Sequence, residues 1–178
     1  VVHLQELNNG QSPSLGLVNK VVQFLKEQAY LKYLPDRGFR LDQPEPLLPA
    51  WCQAYPYKKH QRRRYFTLLP ARTLFERLQS IQRENPGKVC YMGFSAADFQ
   101  APNVRQPRTW LYVIPDFEQH LRQILEAKLV DSGENLVVML PYERGVFDSL
   151  ESGKERLTYT NPIQTYLNLF HSNSRNKK

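Results

Sequence analysis

Residues 12–28 read SPSLGLVNKVVQFLKEQ, and whether this stretch is a surface helix or a recognition helix decides how the first third of the chain is understood. Ser12-Pro13 suits a helix start, since a serine hydroxyl can accept from a free N–H and proline lacks the donor that the first turn leaves unused; Ser14 can serve as the cap instead. Leu17, Val18, Val21, Leu25 and Ala29 recur at helical spacing and are expected to face a core, with Phe24 at their edge. Asn19, Lys20, Gln23, Lys26 and Glu27 make the opposite, polar face. Gly16 breaks the pattern, because glycine in a helix costs about 0.8–1 kcal/mol relative to alanine.

Working outward, residues 30–34 (YLKYL) and Phe39-Arg40-Leu41 flank a Pro35-Asp36-Arg37-Gly38 turn and predict a two-stranded hairpin. A helix followed by a hairpin is the order of a winged helix, and Val2–Leu7, closed by Asn8-Asn9-Gly10, is expected to be what remains of a preceding helix. In such a fold the N-terminal turns of the second helix present polar side chains to base edges. Ser14, Gly16, Asn19, Lys20 and Gln23 fall there, with Asn and Gln suited to adenine and Lys to guanine; Arg37 and Arg40 fall on the wing. A surface helix with an ordinary polar face fits the same pattern.

Residues 44–57 hold four of the thirteen prolines and read as a short helix or connector around Leu47, Leu48 and Trp51. KKHQRRR follows at 58–64, and Lys58, Lys59, Arg62, Arg63 and Arg64 are candidate phosphate contacts in a basic linker. The expected organisation is a winged helix over 1–57, the linker, and a mixed α/β domain over 65–178 ending in a polar tail, which makes the fold class α+β. In that domain strands are expected at 65–68, 88–92, 110–114, 135–140 and 157–160, and helices at 71–83, 94–99, 117–128 and 163–170.

The net charge of +7 concentrates at the two ends: residues 1–64 carry ten Lys/Arg against five Asp/Glu, and residues 65–150 nine against ten. A concentrated basic region is the footprint of a polyanionic partner, and an excess of this size fits an ordinary basic surface as well. No starting methionine, signal peptide or long apolar run is present, so the expectation is a fragment or processed form acting in the cytoplasm, without a membrane partner. Cys52 and Cys90 lack CxxC spacing and read as buried hydrophobes. His3, His60, His120 and His171 are isolated, so no metal site is expected. Nucleophile and phosphate-loop motifs are absent, no cofactor is implied, and Asp98, Asp116, Glu118, Asp131 and Glu134 do not form a nuclease pattern. Met92-Gly93-Phe94-Ser95-Ala96-Ala97 reads as a strand-to-helix turn of small residues, with an anion loop as the alternative.

Four ordered blocks carry a family resemblance that composition and spacing do not supply. SLGLVNKVVQFLKEQAYL with DRGFRLDQPEPLLPAW, YMGFSAADFQAP, NLVVMLPYERGVF and TNPIQTYLNLF together resemble the AbiEi antitoxins and transcriptional regulators, over nearly the whole chain. The resemblance implies a non-enzymatic repressor of its own operon. It would bind double-stranded DNA at inverted repeats and counter a nucleotidyltransferase-like toxin of a type IV toxin–antitoxin system, functionally rather than by a stable complex. It places Ser14, Gly16, Asn19 and Lys20 on the DNA-reading helix and Arg37 and Arg40 on the wing. Pro141, Tyr142, Gln164, Tyr166 and Asn168 fall on the C-terminal family motif, where Gln164 and Asn168 share a helix face. Asn168 stands where the family usually has aspartate, and the chain ends near Arg175, where the family's final helix commonly continues. The competing readings are a DNA-metabolism enzyme with a metal-dependent, nuclease-like C-terminal domain, and a protein-interaction module.

Overall fold

A computed structural model describes residues 14–35, 38–42, 44–101, 107–153 and 157–173. Arg37 and the helix expected at Val2–Leu7 lie outside these. The chain divides into two compact units, Val1–Tyr55 and Pro56–Lys178.

In the first unit, α1 (Leu15–Glu27) starts at Ser14, whose hydroxyl accepts from the Leu17 N–H at 3.2 Å, so the cap is Ser14 and Gly16 sits in the first turn. The helix ends in a Schellman arrangement: Tyr30 N–H returns to Leu25 O at 2.8 Å and Ala29 N–H to Lys26 O at 2.9 Å. Ala29 takes the left-handed conformation (φ 61°) that this cap requires, and therefore leaves the helix instead of facing a core. Nor is any residue of α1 buried; Leu17 is 53% and Val21 49% exposed. Of the apolar stripe that the spacing assigns to a core, Val18 and Leu25 are half-buried and Leu17 and Val21 stay exposed among the described residues.

Strands β1 (Leu31–Tyr33) and β2 (Phe39–Leu41) pair antiparallel, with Leu31 opposite Leu41, Lys32 opposite Arg40 and Tyr33 opposite Phe39. Because side chains alternate across a strand, one face of the hairpin is apolar and the other carries Lys32 and Arg40 alone. The proline-rich stretch is a helix, α2 (Pro44–Ala54), with Cys52 fully buried and Trp51 exposed.

The second unit is built on a seven-stranded sheet in the order β6-β3-β7-β5-β4-β9-β8. Its strands are β3 (Gln61–Phe66), β4 (Val89–Tyr91), β5 (Thr109–Val113), β6 (Lys128–Leu129), β7 (Leu136–Leu140), β8 (Glu151–Ser152) and β9 (Thr158–Tyr159). Pairing is antiparallel except for β5 with β7 and β4 with β9, so the architecture is mixed α/β, consistent with α+β. One face carries the core: Tyr65, Val89, Tyr91, Leu111, Val113, Leu136, Val138 and Leu140 pack with Leu74, Leu78 and Ile81 of α3 (Ala71–Glu84) and with Leu121 of α5 (Glu118–Ile124). Leu78, Leu111, Val113 and Val138 are at most 1% exposed, which makes this burial the main stabilising term of the unit.

The opposite face holds Arg62, Arg64, Trp110, Tyr112, Val137 and Met139, and α6 (Pro162–Asn173) lies against it through Asn168 and Tyr112. Helix α4 (Gly93–Gln100) packs on α6. Gly93 opens it with φ 51°, and Ala96 and Ala97 are buried, so the GFSAA segment is a strand-to-helix turn of small residues.

Two expectations need correction. The basic run is not a linker: Tyr57–Lys59 form a 3-10 turn and Gln61–Phe66 an inner strand between β6 and β7. The strand's backbone is satisfied by pairing, while Arg62 and Arg63 find the carboxylates of Glu134 and Glu118 and Arg64 the Asp131 carbonyl, all far along the chain. The helix expected over 117–128 ends at Ile124, because Glu126 turns left-handed (φ 49°) and the chain re-enters the sheet as β6. Both cysteines are buried thiols outside any disulfide, and burial raises their pKa. No helix of the described residues is long and apolar enough to cross a membrane.

Candidate nucleic-acid interface

In the first unit the candidate reading face is α1. Gly16, Asn19, Lys20 and Gln23 lie at i, i+3, i+4 and i+7 and are all exposed, as is Ser14 at the cap. Gly16 sits in the middle of this polar face. A Cβ built there meets only the Ser14 hydroxyl, at 4.0 Å, so packing against described residues does not require the glycine.

The hairpin contributes Arg40 and a residue the sequence reading missed, Lys32. The two stand directly opposite across β1 and β2, both exposed, and neither makes an ion pair with a described residue. Like charges in directly opposed positions destabilise a strand pair by a few tenths of a kcal/mol or more, about the reverse of what an opposite-charge pair contributes. Strand alternation plus the hairpin register was the signal that could have found Lys32.

In the second unit the sheet divides the basic run among three environments. Lys58 and Lys59 are exposed on the 3-10 turn, with the Lys59 ammonium 5.5 Å from the centre of the Tyr142 ring. Arg62 and Arg64 point to the α6 side of the sheet. Arg62 lies over the Trp110 ring at 5.1 Å and pairs with Glu134 at 3.5 Å, while Arg64 donates to the Asp131 carbonyl at 2.8 Å. Arg63 points to the other side, where it meets Glu118 at 3.6 Å. There Tyr65 also donates to Glu118 at 2.5 Å, and burial with this bond raises the Tyr65 pKa to about 12. The five cations therefore do not form one patch.

His60, in the middle of the same run, is 6% exposed and joins a polar network that brings together part of the C-terminal motif. The Tyr142 N–H approaches its Nδ1 at 3.4 Å, so Nδ1 is the acceptor and Nε2 carries the proton toward the Tyr112 hydroxyl, also at 3.4 Å. Tyr112 donates to Asn168 Oδ1 at 2.8 Å, which also accepts from Gln164 Nε2 at 3.1 Å. Desolvation lowers the His60 pKa from 6.5 to about 4. Tyr142 and Gln164 thus meet around His60, Tyr112 and Asn168, with buried Pro141 beside them. Tyr166 stays 45% exposed on the outer side of α6, away from the network. Among the described residues no three His, Cys, Asp or Glu side chains gather as a metal site would require.

Residues 40–178 match the family described as transcriptional regulator, AbiEi antitoxin, type IV toxin–antitoxin system. No curated protein and no solved structure matches the chain. The matched region starts at Arg40, within β2, and takes in α2 and the whole second unit, including the Pro141-Tyr142 loop and α6; α1 and β1 precede it. With more than half of its length matched, the chain belongs to the AbiEi antitoxin family of transcriptional regulators of type IV toxin–antitoxin systems.

Proposed function

We propose that the protein is a non-enzymatic DNA-binding repressor of its own operon, acting in the cytoplasm. Its first unit is a winged helix that reads inverted repeats, and its second unit counters a nucleotidyltransferase-like toxin without a lasting complex. The observation that carries the DNA reading is the wing. Lys32 and Arg40 face each other across the hairpin with no described carboxylate between them, an arrangement that costs stability alone and gains it when a phosphate sits over both. The polar face of α1 supports it, with Asn19, Lys20 and Gln23 available to base edges and Ser14 at the cap. In the second unit Lys58, Lys59, Arg62 and Arg64 are proposed as additional phosphate contacts, and Arg63, on the other side of the sheet, is not.

The test is an electrophoretic shift assay on duplex DNA from upstream of the protein's own coding sequence, repeated between about 50 and 200 mM salt. A specific repressor should prefer this DNA over random sequence by about a thousandfold or more, with a steep salt dependence. No preference would sink the operator reading. For the second unit, co-expression with a nucleotidyltransferase-like toxin should restore growth without co-purification.

Gly16 gives a separate check. Among the described residues an added Cβ meets only the Ser14 hydroxyl, at an ordinary contact distance of 4.0 Å, so Gly16→Ala should stabilise α1 by up to about 1 kcal/mol, with less at this first-turn position. Gly16→Leu places a bulky side chain in the middle of the reading face and should weaken DNA binding about tenfold while leaving the thermal midpoint nearly unchanged. Equal losses in binding and stability would make Gly16 a packing residue instead.

A further inference from the structure

We propose that Arg62 and Arg108 form a phosphodiester-binding site in the second unit, and that Glu134 fills this site as an internal stand-in for phosphate when DNA is absent. The inference rests on the DNA-binding reading above. Its geometry is convergence: Arg62 Nη2 and Arg108 Nε approach the same carboxylate oxygen, Glu134 Oε1, at 3.5 and 3.6 Å. Two guanidinium groups meeting at one oxygen is how arginines gather at a non-bridging phosphate oxygen. Arg64, on the same face of β3 as Arg62, adds a third positive charge acting on this carboxylate. One carboxylate therefore faces three cations, and the site keeps a net positive charge.

Both contacts are loose. Elsewhere in the unit Arg77 meets Glu126 at 2.7 Å and Arg72 meets Glu76 at 2.9 Å, the usual length for a charge-assisted bond. The pairs at Glu134 are longer than these by more than half an ångström, as is Arg63 with Glu118 at 3.6 Å. The carboxylate side chain is only 7% exposed, whereas Arg108 is 45% and Arg62 23% exposed. Solvent thus reaches both arginines, and Arg108, the more exposed of the two, can turn outward to a backbone phosphate while Glu134 stays behind. Trp110 supports Arg62 from beneath through its ring, so that guanidinium keeps its position as it changes partner. Glu134 is held ionised below the usual carboxylate range, first by its own backbone N–H and then by the arginines, so it competes with phosphate throughout the neutral range.

The test compares Glu134→Gln with the wild-type protein on fluorescently labelled duplex DNA across a salt titration. Releasing two arginines should raise affinity by about threefold to tenfold at low salt and steepen the dependence of log K on log salt by about one to two units. Glu76→Gln is the control, since it removes the same charge from an exposed pair on α3. An equal gain in both variants would reduce the effect to net charge and overturn the proposal. So would an unchanged slope in a folded Glu134→Gln protein whose wild type binds DNA, and that result leaves the DNA reading intact. Wild-type protein with no salt-dependent binding would remove both. Should Glu134→Gln fail to fold, Arg108→Ala decides: an arginine that leaves Glu134 for a backbone phosphate should, once removed, lower affinity and flatten the slope by up to about 0.9, and an unchanged affinity and slope in a folded protein overturn the assignment.

Discussion

Lys20→Glu combined with Arg40→Glu should abolish specific DNA binding, with an affinity loss of about a hundredfold or more, and leave the first unit folded. Each substitution removes a cation and adds a repulsion. A lysine at a guanine edge is worth about 1–3 kcal/mol, and a lost phosphate contact lowers affinity further in a salt-dependent way. Together these amount to about 3–5 kcal/mol, where every 1.4 kcal/mol is a factor of ten. Neither residue is buried or ion-paired with a described residue, so folding does not depend on the positive charges. At the wing the expected change in stability runs the other way. Arg40→Glu turns the opposed Lys32–Arg40 pair into an attractive one, which should stabilise the hairpin by about 0.2–1 kcal/mol. A thermal midpoint that holds or rises while binding is lost is the signature of a charge pair kept for a ligand. Retained DNA binding, by shift assay or fluorescence anisotropy, would place the DNA contacts outside α1 and the hairpin.

The elements legible in the sequence are those whose burial is one-sided or complete. Leu74, Leu78 and Ile81 repeat at helical spacing because only one side of α3 touches the sheet, and Leu136–Leu140 is an unbroken apolar run because β7 is covered on both faces. The pairing of Gln164 with Asn168 was readable for the same local reason, four residues on one helix. Of strand β3 only the end, Tyr65-Phe66, was readable. A run with three consecutive arginines resembles a solvated linker, and it becomes an inner strand only because Glu134 and Glu118 supply counter-charges and Trp110 a ring for Arg62. Those partners lie 72, 55 and 48 residues away, beyond any local pattern. His60 was invisible on the same grounds. An isolated histidine carries no signal until the fold places Tyr112, Tyr142 and Asn168 around it. In α1, spacing gave the apolar stripe but not its exposure, which depends on what lies against it.

Acid should destabilise the second unit through His60, and the direction follows from where the proton goes. In the folded protein burial holds the imidazole neutral down to about pH 4, while in the unfolded chain it takes up a proton near 6.5. The unfolded state therefore binds more protons between these values. The stability present above pH 6.5 is lost progressively as pH falls toward 4, and below that both states are protonated and the loss stops growing. Between pH 7 and 5 the loss amounts to about 1–2 kcal/mol after allowing for solvent screening, which in a unit of this size lowers the thermal midpoint by about 5 °C. The network explains why the fold resists protonating it. Nδ1 is already the acceptor for the Tyr142 N–H, so a second ring proton would set donor against donor and break the link from β5 and α6 to the 141–142 loop. His60→Gln can keep an acceptor toward that N–H and a donor toward Tyr112 without titrating, so it should flatten the profile between pH 7 and 5 while lowering stability at pH 7. The measurement is a set of thermal or urea melts at half-unit pH steps on both proteins. Parallel profiles would assign the acid sensitivity to other groups and leave His60 with a packing role alone.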